Sequence, residues 1–303
     1  MTQWLLAGAG QAGRCHIAAI ERVADAHLVG VVDPSPPKNF PGPVFSDLPT
    51  AISSTNADAV VVASPNDTHV SLISQAVKDR LPVLCEKPVG RSSQDAIKCL
   101  TMAEEKNVSL GVVLNQRGQR HNRWVKEKIL SRALEPVSIK FTGSIRRLSG
   151  WHTDPARSGG GILRTIVLHY LDLLVWWLGS FEVEDVVLQG APVEDAVSLS
   201  GRAGEGCSVK IEIEATNDAA FGPVLCIING DGCRIRMDGH VITDVSGLVA
   251  PPKAETWDPE LPFGPGHVTA IEEATRSLTQ GDPLPVPLRE FIPLLEDVEA
   301  MRF

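Results

Sequence analysis

The sequence predicts an α/β protein: an N-terminal Rossmann domain with a parallel sheet, then a C-terminal α/β domain with an open, mainly antiparallel sheet. Three observations point there. A glycine-rich turn, Gly8-Ala9-Gly10-Gln11-Ala12-Gly13, joins an apolar run from Trp4 to Ala7 to a helical pattern that reaches about Val23. Short apolar runs then alternate with helical segments as far as Asn115, the mark of parallel βαβ units. From Val137 onward, about six alternating segments separated by tight turns indicate antiparallel pairing. At 303 residues the chain is long enough for two cores, and the change of pattern divides it into 1–117 and 118–303.

In the first domain, the glycines of a GxGxxG turn let the backbone approach a pyrophosphate at the helix N-terminus, so Gly8, Gly10, Gln11, Ala12 and Gly13 are cofactor-binding candidates. The strand His27 to Val32 ends in Asp33, 20 residues beyond Gly13, near the spacing of a carboxylate that takes the ribose hydroxyls of NAD. Asp33 would repel a 2′-phosphate, which favours NAD and makes NADP the poorer fit. Pro34, Pro36, Pro37, Pro41, Pro43 and Pro49 then crowd residues 34–49 and argue for an extended loop in place of the next helix. Alternation resumes with a strand Ala59 to Ala63, a turn Ser64-Pro65-Asn66, a helix capped near Asp67 or Thr68, and a strand Pro82 to Cys85. Glu86, Lys87 and Pro88 follow that strand. A helix from about Ser93 to Lys106 and a strand Val108 to Leu114 bring the parallel series to about five strands. Ligands of such sheets sit beyond the carboxyl ends of the strands, where Asn66, Lys87 and Asn115 fall.

Arg117 and Arg120 lie in the loop before a basic helix that runs to about Leu130, and are candidates for touching an anionic substrate. The expected strands of the second domain are 137–145, 182–190, 196–203, 207–214, 224–229 and 233–243. Between the first two stands Gly159-Gly160-Gly161 followed by Ile162 to Leu178, a helix apolar nearly all round and therefore buried. Arg164, Thr165, His169 and Asp172 break that rule. At 100° per residue, Thr165, His169 and Asp172 form one narrow stripe while Arg164 points elsewhere. Buried polar groups are costly unless bonded or used, so the stripe reads either as structural hydrogen bonding or as one wall of a catalytic site. Trp151, His152 and Arg157 precede this helix and are substrate-binding candidates. The Pro-rich stretch 247–266 reads as a long loop, followed by a helix from His267 to about Gln280 and a last helix to Phe303.

A net charge of −9 and a pI near 5.4, with no basic stripe, argue against nucleic acid or an anionic membrane as partner. The composition is globular, with 43% hydrophobic residues and a mean hydropathy of +0.03. The apolar helix carries Arg, His and Asp and makes a poor membrane span. The first residues show no basic region or cleavage site, so a cytoplasmic protein is expected. The six cysteines form no CxxC and no ligand-like pairing with histidine, so neither a disulfide framework nor a metal site is expected.

Taken in order, the GxGxxG of Gly8 to Gly13, the Ser64-Pro65-Asn66 turn with His69, the Glu86-Lys87-Pro88 tripeptide and the block from Trp151 through the three glycines to Asp172 and Trp177 resemble the Gfo/Idh/MocA oxidoreductases. That family includes glucose–fructose oxidoreductase, inositol dehydrogenase and many sugar dehydrogenases. The resemblance implies a nicotinamide at the Rossmann strand ends, with Ser64, Asn66, His69, Glu86 and Lys87 among the residues around it. It also implies homodimers or homotetramers assembled through the C-terminal sheet.

Matched to the family pattern, Lys87 stands at the active-site lysine and His169 at the acid–base histidine. Thr165 occupies the place of the usual catalytic Asp, and Val167 that of the usual Gly. A threonine cannot hold the charge that would raise the pKa of His169. The subgroup acting at C3 of UDP-linked N-acetylglucosaminuronate tolerates a change there, and the segment LNQRGQRHNRWVKEKI is similar to its own. The expected activity is hydride transfer between NAD and a secondary alcohol or ketone of a sugar. Lys87 would steady the oxygen, His169 move the proton, and Asp172 orient either the histidine or a hydroxyl. An imine reductase and a dinucleotide-binding protein without turnover are the alternatives, the first kept open by Thr165.

Overall fold

In the computed structural model, which describes residues 1–35, 40–217, 224–239, 241–248, 251–253 and 258–302, the first apolar run is strand β1 (Thr2–Ala7) and the glycine turn leads into helix α1 (Gln11–Arg22). Next come β2 (Ala26–Val32), β3 (Val44–Phe45), α2 (Leu48–Ser54), β4 (Ala59–Val62), α3 (Asn66–Lys78), β5 (Val83–Glu86), α4 (Ser93–Lys106) and β6 (Leu110–Val113). After a 3₁₀ turn at Asn115–Gly118, the chain forms α5 (Arg120–Leu130), β7 (Pro136–Arg146), the short α6 (Pro155–Ser158) and α7 (Leu168–Leu178). Strands β8 (Phe181–Gln189), β9 (Ala196–Ala203), β10 (Cys207–Thr216), β11 (Leu225–Gly230), β12 (Cys233–Asp238) and β13 (Val241–Ser246) precede α8 (Gly266–Gln280) and α9 (Leu288–Ala300).

The chain divides into two compact units, Met1–Gly118 with Trp257–Glu299, and Gln119–Thr256 with Ala300–Phe303. The boundary read after residue 117 falls at the 3₁₀ turn. Residues 257–299, however, group with the first unit rather than the second, because Ile271, Ala274 and Leu284 join Trp4, Leu6, Ile20 and Val61 in one buried cluster. Burying such side chains contributes about 1.5–3 kcal/mol each. That gain ties α8 to a strand some 270 residues earlier, a pairing no local pattern announces.

The first sheet is parallel, in the order β3-β2-β1-β4-β5-β6. Strand β4, Ala-Val-Val-Val, is fully buried, as expected of a parallel strand covered on both faces. The chain order reverses between β1 and β4, which opens a crevice at the carboxyl ends of the strands. The sheet has six strands rather than five, because Val44–Phe45 adds β3 to the edge, with Val31 opposite Val44 and Val32 opposite Phe45. A short helix follows where only a loop was expected. Asp47 caps it by accepting from Thr50 N, and Pro49 falls in its first turn, where no amide donor is needed. Pro36 and Pro37 lie outside the described residues.

Three boundaries differ from the sequence reading. Helix α3 begins at Asn66 rather than behind an Asp67 or Thr68 cap, Glu86 closes β5 rather than following it, and Arg120 opens α5 rather than standing in the loop before it.

In the second unit the sheet order is β13-β12-β11-β7-β10-β9-β8, antiparallel except for β7 beside β10. The expected strand 233–243 is two strands, which turn at Gly239 with φ +61°. Alternation along β10 buries Val209, Ile211 and Ile213 and exposes Lys210 on the other face. Phe141 of β7 packs against Tyr170 and Trp177 of α7 at 4.8 and 6.4 Å between ring centroids.

The apolar helix is buried as its composition demands. Ile162, Leu163, Val167, Leu168, Leu171, Leu173, Leu174 and Trp177 are each at most 2% exposed. By length and composition Pro155–Leu178 is the one candidate membrane span among the described residues, and 67% of its apolar window is buried inside the fold. Lys126 donates to the Trp176 carbonyl and the Trp177 indole donates to Asn122 O at 3.1 Å, so α5 holds the C-terminal end of α7.

Three substitutions test this packing. Trp4 Nε1 donates to Thr275 Oγ1 at 3.1 Å in the core, so Thr275→Val leaves a buried indole donor unpaired and is expected to cost about 1–3 kcal/mol in urea unfolding. A Cβ on Gly161 would lie 2.0 Å from the Glu194 carbonyl oxygen, whereas one on Gly10 meets nothing within 4 Å. Gly161→Ala is expected to lower stability by about 1–3 kcal/mol or more and Gly10→Ala to stay within about 1 kcal/mol of the parent, read by the same unfolding curves.

Candidate active site

The carboxyl edge of the first sheet gathers most of the residues that the sequence singled out in this unit. Gly8 adopts φ +99°, and a Cβ there would sit 2.6 Å from the Ala63 carbonyl oxygen. A Cβ on Gly13 would sit 2.0 Å from the Gly8 carbonyl oxygen. These contacts fold the turn tightly under the first turn of α1. Gly10 caps that helix with no side-chain hydrogen bond, and its first turn holds no acidic residue, so Gln11, Ala12 and Gly13 begin a helix whose positive end is not neutralised by its own sequence. Asp33, at the end of β2, accepts from Ala9 N through Oδ2 at 2.7 Å and from Ser35 N through Oδ1 at 2.7 Å. Each carboxylate oxygen keeps a further lone pair for a hydroxyl.

The next strand ends carry Ser64 and Asn66, then Glu86 and Lys87, then Asn115. Thr68 gives its proton to the Pro65 carbonyl at 2.7 Å, so the 2.6 Å contact with Ser64 Oγ is a bond donated by Ser64. His69 is fully buried. Its Nε2 donates to Ser64 O at 2.9 Å and its Nδ1 accepts from Gly90 N at 3.4 Å, so it ties the loop after β4 to the loop after β5. Burial lowers its pKa and favours the neutral ring that this arrangement needs.

Glu86 Oε1 accepts from His16 Nε2 at 2.8 Å and lies 3.3 Å from His267 Nε2. Lys87 is half-buried, and burial lowers its ammonium pKa to about 8 against the opposing pull of the Glu86 charge. Asn115 is buried in the 3₁₀ turn after β6, where Arg117 is half-buried. Backbone meets backbone here as well, since a Cβ on Gly266 would fall 1.8 Å from Asn115 O. Sequence reasoning did not single out His16 or His267; the available signal was a histidine on the apolar face of α1 and another opening α8.

In the second unit, Arg120 is exposed at the start of α5. Trp151 and His152 stack with ring centroids 3.7 Å apart in the turn Gly150–Thr153. Arg157 lies on α6, which Asp154 caps through Ala156 N at 2.9 Å. The glycine run is clamped from two sides. Glu194 accepts from Gly161 N through Oε1 at 2.9 Å and from Ile162 N through its carbonyl at 3.0 Å, while Arg302 donates to Gly159 O at 2.6 Å and lies 3.4 Å from Glu194 Oε2. Neither Glu194 nor Arg302 carries a local sequence signal.

A π turn at Leu163–Val167 then precedes α7. This widened winding joins Thr165 to His169, so the even 100° spacing assumed from the sequence does not hold between them. Thr165 Oγ1 donates to Gly161 O at 2.9 Å, which commits its only proton to the backbone and leaves it able to accept. Arg164 is fully buried beside Gly160, Asp172 is 1% exposed, and His169 is half-buried.

Residues 2–114 match the family described as an oxidoreductase family with an NAD-binding Rossmann fold, Gfo/Idh/MocA. Inositol 2-dehydrogenase of Rhizobium meliloti is 29% identical over 268 residues, which cover 86% of this chain and 79% of that one. 1,5-Anhydro-D-fructose reductase of Ensifer adhaerens is 26% identical over 217 residues, 68% of this chain and 62% of that one. The crystal structure of the WlbA dehydrogenase of Bordetella pertussis, in complex with NADH and UDP-GlcNAcA, has the same fold at TM-score 0.83 and 21% identity, covering 99% of this chain and 94% of that one. Over residues 2–114 the chain is thus similar to the NAD-binding Rossmann domain of the Gfo/Idh/MocA oxidoreductases.

Proposed function

We propose that this protein transfers a hydride between NAD and a secondary alcohol or ketone of a sugar or polyol. The carrying observation is Lys87, half-buried at the end of β5 on the same sheet edge as the Gly8–Gly13 turn and Asp33. Gly8–Gly13 at the start of α1 would hold the pyrophosphate of NAD, Asp33 would accept from its ribose hydroxyls, and Ser64, Asn66 and the Glu86-Lys87 segment would hold its nicotinamide end. When bound, NAD would supply or accept the hydride. Lys87 donates to the reacting oxygen, His169 exchanges its proton, and buried Asp172 orients the imidazole. Thr165 acts only as an acceptor, because its own proton is held by Gly161 O. Asn115, Arg117, Arg120, Trp151, His152 and Arg157 are the proposed substrate contacts.

The names of the relatives, inositol 2-dehydrogenase and 1,5-anhydro-D-fructose reductase, support a polyol or sugar class. The fold shared with WlbA adds a UDP-linked hexuronate as a finer candidate. The test is absorbance of NADH at 340 nm with a panel of inositols, free and anhydro sugars, UDP-GlcNAcA and cyclic imines, in both directions. Turnover of a sugar or polyol is expected, and turnover of imines alone would sink the reading. On the substrate so found, Lys87→Ala and His169→Ala are each expected to lose about 10²–10⁴-fold in kcat while still binding NADH. Rates near those of the parent in both variants would overturn the assigned roles.

A second expectation concerns pH. The ammonium form of Lys87 prevails below its pKa of about 8, so kcat/KM for ketone reduction is expected to fall as pH rises through that value. A profile flat from pH 7 to about 9.5 would remove the charged lysine from the mechanism.

A further inference from the structure

Glu86 is largely buried in the first unit, with its side chain 12% exposed. Two imidazole Nε2 atoms converge on a single oxygen of it, His16 from α1 at 2.8 Å and His267 from the first turn of α8 at 3.3 Å. The two rings meet edge to face, 5.0 Å between centroids and at 90°, and are 0% and 2% exposed. The far nitrogen of each ring, Nδ1, is buried with no hydrogen-bond partner among the described residues. A proton on that nitrogen would be a buried, unsatisfied donor, so the proton that each ring can satisfy is the one on Nε2, aimed at the carboxylate. The next residue along the chain is Lys87.

We propose that His16 and His267 are positioning residues for Lys87: by donating to one oxygen of Glu86 they keep its carboxylate ionised and fixed beside the lysine, which preserves the lysine ammonium at the end of β5. The proposal rests on the reading of Lys87 as the active-site lysine, but its physical content is independent of turnover. Burial by itself would raise the Glu86 pKa, and the hydrogen bonds from His16 and His267 outweigh burial and hold it well below the usual carboxylate range. Burial also pulls Lys87 down, and the charge of Glu86 is the force that opposes it. The titratable groups facing Glu86 are Cys15 and His16 on α1, His69 on α3, Cys85 and Lys87 on its own strand and loop, and His267 on α8. Burial raises the pKa of both thiols and lowers those of His16 and His69, so these four groups add no charge beside Glu86 near neutral pH; the fixed charges nearest to them on the same helices are Arg14 on α1 and Asp67 on α3.

The same three side chains place ligand atoms within 4.8 Å of one another, a spacing a divalent cation could use. Both histidines address one carboxylate oxygen at hydrogen-bond distance, however, rather than a common centre between three donors, and that geometry favours the proton-mediated arrangement.

The experiment is competitive labelling of lysines with a trace amine reagent across pH 6–11 on the full-length protein, read by peptide mass spectrometry, with the exposed Lys98 and Lys106 as internal references. In the parent, Lys87 is expected to reach half-reaction near pH 8. His16→Leu, His267→Leu and Glu86→Gln are each expected to move that midpoint down by about half a pH unit or more, while His16→Gln and His267→Gln, which retain an N–H donor, stay within about 0.2 of the parent. Unfolding would move Lys87 the opposite way, toward the ordinary lysine value of about 10.4, so loss of structure has its own signature. An unchanged midpoint in Glu86→Gln or in both Leu variants, equal shifts in the Leu and Gln variants, or a stoichiometric zinc ion found by metal analysis of the purified parent would each overturn the proposal. If the midpoints move as stated while Lys87→Ala retains turnover, the positioning stands and the catalytic reading of Lys87 falls.

Discussion

Main chain pressed against main chain, with no room for a Cβ, is the constraint on which both units depend. In the first unit Gly8 meets the Ala63 carbonyl, Gly13 meets the Gly8 carbonyl and Gly266 meets the Asn115 carbonyl; in the second, Gly161 meets the Glu194 carbonyl. A side chain at any of these positions would have to displace backbone, which cannot swing aside as the end of a flexible side chain can. The glycines therefore fix where α1, α7 and α8 begin, and with them the direction in which the chemical groups emerge. Gly10 is the exception, since the space its Cβ would take is open. The three glycines of one motif thus divide into two that shape the turn and one that leaves room above it.

The polar groups of the two units follow a second rule, that a buried proton must have a destination. Asp33 takes the Ala9 amide, His69 spans two loops, Thr165 returns its proton to Gly161, and Glu86 takes two imidazoles on one oxygen. Each of these bonds removes a degree of freedom from a neighbouring segment. Each also restricts what the residue can still do. A threonine whose proton is already given cannot serve as a donor, and a histidine with no exposed surface fastens loops together.

Much of the fold was legible from local pattern. The strand-turn-helix of the glycine motif, the buried β4, the helix Ser93–Lys106 and the all-round apolar α7 all stand where period and composition placed them, because each is dictated by neighbours in the chain. The strand-end residues Ser64, Asn66, Lys87 and Asn115 were legible for the same reason, since a parallel sheet sends every strand end to one edge. The added edge strand Val44–Phe45 was not, because prolines mark the end of a helix more plainly than the start of a two-residue pairing. The π turn was equally invisible, for it changes the winding of a helix without changing its composition.

The sequence by itself determined the two sheets, the glycine turn, the acidic residue that closes β2 and the chemical types available at the site, because periodicity and turn chemistry act over a few residues. Only the tertiary structure decided that 257–299 return to the first unit, that Arg302 and Glu194 clamp the glycine run, and that His16 and His267 meet on Glu86. Those contacts join residues from 33 to 271 positions apart, and they form because burying apolar surface and satisfying buried protons reward any partner the fold brings near, whatever its place in the chain.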